Sequence, residues 1–134
     1  MSALEQSIKL HEGFMGKPYR CTAGRLTIGF GRNLDDRGIT QEEAEYLLRN
    51  DIAIARKELD ERATGWKRLS PARQDVLVEL VYNMGMPRLS TFMRFWEAMR
   101  DQDYDKAAAE LLDSKWAKQV GQRAKTLAEK MRKG

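Results

Sequence analysis

Hydrophobic positions recur at helical spacing along most of the chain, and only one short stretch alternates. Leu4 and Ile8 lie four apart behind a Ser2/Glu5 capping box, which predicts a short first helix stopped by Gly13. From Tyr19 to Gly31 the period falls to two. Leu26, Ile28 and Phe30 alternate with Thr27, Gly29 and Gly31, behind the turn-forming Thr22-Ala23-Gly24-Arg25. This predicts a hairpin whose second strand turns its apolar row to a core. The Thr27 hydroxyl is expected on the other face, between small residues that admit close approach.

Beyond the hairpin the pattern is helical to the end. Ile39-Thr40-Gln41-Glu42-Glu43 forms a second capping box, and Ala44, Leu47, Leu48, Asp51, Ala55 and Leu59 follow at helical intervals, predicting a long helix from about Thr40 to about Glu61. Ser70-Pro71 is an N-cap with proline at the first helical position. Val76, Leu77, Leu80, Val81 and Met84 then give a broad apolar face up to Gly85, as expected of a buried central helix. Ser90 and Asp103 are expected to cap two more helices, and a last one spans about Gln122 to Met131. Together these elements predict one α+β domain over residues 1–134. A small hairpin lobe, about 13–38, is joined by the long helix to a mainly helical lobe from about 62, which also takes the N-terminal helix.

Composition narrows the chemistry. The 134 residues include one Cys and one His, so neither an internal disulfide nor a four-ligand zinc site of the usual kind can form; no metal and no cofactor is expected. No run of about 18 apolar residues suits a membrane span. Glu5, Lys9 and Glu12 stand where a signal peptide would be apolar, so synthesis in a cytosol is expected, with export left to another agent. Charge is uneven: Ser114–Gly134 carries seven basic residues against Glu129 alone, favouring an anionic partner.

Three polar residues gather around the hairpin: Glu12 at the end of the first helix, Cys21 on the first strand, and Thr27 on the second. Singly each has an ordinary structural role, as a solvated helix-end carboxylate, a buried thiol and a strand former. Their spacing is more specific. Glu12, Cys21 nine positions on and Thr27 six further lie within His11-Glu12-Gly13 and Tyr19-Arg20-Cys21 through Leu26-Thr27-Ile28-Gly29-Phe30-Gly31. That segment resembles the active site of the phage-type lysozymes, the muramidases of glycoside hydrolase family 24. There a Glu, an Asp or in a minority a Cys, and a Thr recur at this spacing. Leu80-Val81-Tyr82-Asn83-Met84-Gly85, Phe92, Ser114-Lys115-Trp116 and Arg123-Ala124 resemble the family's later motifs in the same order, so the likeness covers nearly the whole chain.

The resemblance implies a lysozyme-like fold and a muramidase that hydrolyses the bond between N-acetylmuramic acid and N-acetylglucosamine in peptidoglycan. By the same likeness Glu12 is the catalytic acid, Cys21 and Thr27 handle the attacking water, Arg123 pairs near the glutamate, and Tyr82 and Asn83 line the sugar cleft. It also implies an endolysin, monomeric as the simplest expectation for this size, made in the host cytoplasm and released by a holin to the periplasm and wall. Cys21 stands where commoner members carry aspartate, and the segment between Gly31 and Thr40 is short.

The chemistry is consistent with these roles. Glycosidic cleavage needs a proton for the leaving oxygen and a nucleophile or activated water opposite an oxocarbenium-like centre. An unperturbed thiol is mostly neutral at pH 7, so Cys21 needs neighbours that favour its thiolate, and Arg20 and Arg25 are candidates. Cys21 then serves as weak base or water positioner, with a covalent thioglycoside as a variant. Three other functions are weighed against this one. Glu12 alone would make a lytic transglycosylase, and His11 with Cys21 a peptidoglycan amidase. The basic C-terminal residues would make a helical nucleic-acid binder, although no nucleic-acid-binding motif accompanies them and no nucleic-acid partner is expected.

Overall fold

The computed structural model describes Met1–Gly134, and the chain divides into two compact units, Met1–Leu47 and Leu48–Gly134. In the first, α1 (Ala3–Glu12) is capped by Ser2, whose Oγ accepts from the Glu5 amide at 3.0 Å, and is stopped by Gly13 in the left-handed region. Strands β1 (Met15–Arg20), β2 (Leu26–Gly29) and β3 (Arg32–Asn33) form an antiparallel sheet in that order, so the hairpin gains a short third strand. β2 is central: Thr27 pairs with Tyr19 on one side and Asn33 on the other. Asn33 then caps the one-turn helix α2 (Leu34–Arg37) by accepting from the Asp36 amide.

The hairpin buries the opposite face from the one its alternation suggests. Thr27 is the buried residue, at 4% exposure, while Phe30 is exposed and Leu26 and Ile28 are half-buried. Thr27 is also the only buried side chain of this unit. Polar contacts take up the work an apolar core would do. Asp35 accepts from the Leu26 amide at 2.7 Å and pairs with Arg20, and Asp36 pairs with Arg25. Arg32 grips Glu43 with two nitrogens, at 2.9 and 2.6 Å, and donates to the Gly38 carbonyl.

Helix α3 (Gln41–Arg62) starts in the first unit with the expected capping box: the Glu43 amide donates to Thr40 Oγ1 and the Thr40 amide to Glu43 Oε1. Its later turns bury Ala55 and Leu59, whereas Leu47 and Leu48 stay exposed. A 3₁₀ turn at Trp66–Arg68 buries Trp66, whose Nε1 donates to Asp60. Helix α4 (Pro71–Met84) is the buried helix its pattern predicts, with Val76, Leu77, Leu80 and Val81 all inside.

The remaining helices of the second unit are α5 (Met86–Leu89), α6 (Met93–Arg100), α7 (Tyr104–Leu112), α8 (Lys115–Val120) and α9 (Gln122–Lys133). Asp103 caps α7 as expected, but Ser90 closes α5 instead of opening α6, which starts at Met93 without a side-chain cap. α7 packs on α6 and α9, and α4 and α8 pack on α9. Arg73 fastens the far end of α9 by donating to the carbonyls of Met131 and Arg132, its guanidinium lying 3.6 Å from the Tyr104 ring centre. No helix is long and apolar enough to cross a membrane.

Candidate active site

Glu12, Cys21 and Thr27 all lie in the first unit. Glu12 is the last residue of α1, exposed, and its carboxylate rests on Gly31. A β-carbon at Gly31 would stand 2.8 Å from Glu12 Oε2 and 3.2 Å from its carboxyl carbon, so only glycine leaves the carboxylate where it is. Gly31 therefore joins the site, a role hinted at by its place after an alternating strand but missing from the sequence-derived site residues.

Cys21 falls one residue beyond β1 and opens the reverse turn, its carbonyl accepting from the Gly24 amide at 2.8 Å and its amide donating to the Arg25 carbonyl at 2.9 Å. That turn aims main-chain amides at the thiol. The Arg25 N–H, then the Ala23 N–H, hold Cys21 below the usual thiol value of 9.0, and partial burial opposes them. The expected agents were the guanidinium groups of Arg20 and Arg25. These are engaged elsewhere, with Asp35 and Asp36, and the thiolate is favoured by main-chain dipoles instead.

Arg25's main chain also orients Thr27. The Thr27 hydroxyl donates to the Arg25 carbonyl at 2.8 Å, which leaves its lone pairs to accept a hydrogen bond from another molecule. One peptide segment thus aligns both groups. His11, whose Nδ1 lies 3.4 Å from Ser7 Oγ, engages a residue of its own helix.

The other expected site residues belong to the second unit. Tyr82 is half-exposed beside a depression lined by Asp51, Ile54 and Glu58. Asn83 accepts from Trp116 Nε1 at 2.6 Å, which fixes its amide oxygen and leaves its NH₂ as donor. Arg123 donates to Glu79 Oε2 at 2.8 Å, so the carboxylate it engages is Glu79. No three His, Cys, Asp or Glu side chains are grouped so as to hold a metal ion.

The family model described as phage lysozyme matches residues 9–133. A protein named endolysin, from Acyrthosiphon pisum secondary endosymbiont phage 1, is 37% identical over 83% of this chain and 75% of its own length. Two Dictyostelium discoideum proteins named probable T4-type lysozyme 1 and 2 are 25% and 24% identical, each over 92% of this chain and 90% of their own length.

Proposed function

Because the chain belongs to the phage lysozyme family, glycoside hydrolases that lyse peptidoglycan, we propose that it hydrolyses the bond between N-acetylmuramic acid and N-acetylglucosamine, with Glu12 as general acid and Cys21 and Thr27 handling water. The observation that carries this reading is the shared alignment of Cys21 and Thr27 by Arg25 within the unit that seats Glu12 on Gly31. Glu12 protonates the leaving oxygen. A water held by the Thr27 lone pairs loses its proton to the Cys21 thiolate as it attacks the anomeric carbon. Tyr82 and the free amide hydrogens of Asn83 bind sugar, Asn83 with its orientation set by Trp116. Arg123 supports this region through Glu79.

The cellular setting follows from the same reading: a monomeric endolysin made in the host cytoplasm and passed to the wall through a holin pore. A Cys21–His11 amidase is disfavoured, since His11 turns to Ser7. A nucleic-acid binder is also disfavoured, because three of the seven basic residues at the C-terminal end are engaged: Arg123 by Glu79, and Arg132 and Lys133 by Glu129.

The test is mass spectrometry of purified peptidoglycan after digestion, run beside Glu12→Gln. Reducing muramic acid ends that vanish in the variant are expected. Anhydro-muramic ends would make the enzyme a transglycosylase in which Glu12 works alone. New amino groups on intact glycan would make it an amidase.

A further inference from the structure

The second unit holds a pocket of about 480 Å³, formed where the end of α3 and the 3₁₀ turn meet α4, α5 and α6. That volume is within the range of about 300–1,000 Å³ in which proteins enclose small molecules. None of the six residues assigned to catalysis or sugar binding lines it.

Its floor is apolar. Leu77, Met86 and Met99 are buried there beside Trp66 and the half-buried Trp96. The indole donors are already engaged: Trp66 Nε1 donates to Asp60 and Trp96 Nε1 to the Leu89 carbonyl, so both rings offer the pocket only apolar surface. The three methionines grade from the buried Met86 and Met99 to Met93, which is 70% exposed. Unbranched thioethers of this kind mould themselves to a flexible chain.

The rim is cationic. Arg62 closes α3 and Arg100 closes α6; both are exposed, and neither guanidinium pairs with a carboxylate. An apolar floor beneath two unpaired cations complements a molecule whose apolar chain ends in an anion: the chain gains by leaving water, and the anion gains charge-assisted hydrogen bonds.

We propose that this pocket binds a free fatty acid, its acyl chain against Trp66, Trp96 and the methionines and its carboxylate held by Arg62 and Arg100. This is a ligand site separate from the glycan-cleaving residues, and it does not rest on the muramidase reading.

Titration of the whole protein with dodecanoate, kept below its micelle concentration and followed by tryptophan fluorescence, tests this. A saturable change is expected. Dodecanol, which has the chain without the anion, should bind about tenfold more weakly. Butanoate, which has the anion with too little chain, should not saturate over the same range. In the Arg62→Ala/Arg100→Ala double variant the dodecanoate affinity should fall about tenfold or more, while dodecanol stays within about twofold of wild type. The three wild-type titrations decide the matter even if that variant fails to fold. No saturation with dodecanoate, equal affinities for dodecanoate and dodecanol, or equal losses for both in the variant each overturn the proposal. A response seen only with phosphatidylglycerol vesicles also overturns it, since that is adsorption to an anionic bilayer. NMR shifts of the Trp66 and Trp96 indole N–H signals, with that of Trp116 unmoved, support the location, and the reverse pattern overturns it. Glu12→Gln should bind dodecanoate as the wild type does, so a failure of glycan cleavage and a failure of this pocket are read apart.

Discussion

Glu12 and Gly31 fit each other at the level of single atoms: the carboxylate occupies the space where any other residue at position 31 would place its β-carbon. Gly31 also sits at φ +84°, a left-handed conformation in which an L side chain is strained. Gly31→Ala should therefore do two things. It should cost about 1–2 kcal/mol of stability through the backbone, and it should displace Glu12, lowering kcat by at least about tenfold. Gly29→Ala separates the two effects. Gly29 has φ +72° but open space around its α-carbon, so the stability cost should match while kcat falls much less. Thermal melts and initial rates on both variants check this.

The turn amides at Cys21 make a second prediction. Because the Arg25 and Ala23 N–H groups favour the thiolate, iodoacetamide should alkylate Cys21 with an apparent pKa below 9.0. If the thiolate is the base, activity should rise with pH through that same value. Cys21→Ala should lose about a hundredfold or more in kcat. Cys21→Asp should stay active without that alkaline limb. A fully alkylated enzyme with wild-type activity would exclude any chemical role for the thiol.

Arg32 and the capping-box amide hold the Glu43 carboxyl down to about 2 from its usual 4.5. A depressed carboxylate contributes stability above the unfolded-state value and loses it as pH falls through the folded one. The first unit should therefore weaken between about pH 4.5 and 2, with the first turn of α3 fraying. Glu43→Gln removes the titration. The difference in stability between wild type and variant should shrink over that window, measured by urea melts at several pH values.

Trp116 is 1% exposed, and its indole N–H depends on Asn83. Asn83→Ala leaves that donor buried and unpaired, which should cost about 1–3 kcal/mol. Chemical denaturation measures the loss, and a larger KM in the same variant would reflect the missing sugar contact.

Four basic residues near the C-terminus, Lys115, Lys118, Lys125 and Lys130, keep no acidic partner. They should hold the enzyme on an anionic wall. Lysis of whole walls should therefore fall as salt rises to about 0.15 M, where the screening length is about 8 Å. Cleavage of a soluble uncharged oligosaccharide should change little over the same range.

Local chemistry made much of this protein legible from sequence. The ends of α1, α4 and α7 followed from Ser2, Ser70 and Asp103 and from Gly13 and Gly85, because capping groups and glycines act within a turn of where they stand. The buried face of α4 followed from its 3.6-residue period, and the spacing of Glu12, Cys21 and Thr27 carried the family. Tertiary structure decided what period and spacing leave open. It turned Thr27 inward, and Phe30 outward into a groove, since alternation separates two faces of a strand without saying which one is covered. It gave the thiol's lowering to main-chain amides, which leave no mark in residue identity, and took the arginine side chains for Asp35 and Asp36. It paired Arg123 with Glu79 and Asn83 with Trp116 across 44 and 33 residues of chain. Such partners meet only when helices pack, so the physics that selects them is long-range and absent from any local pattern.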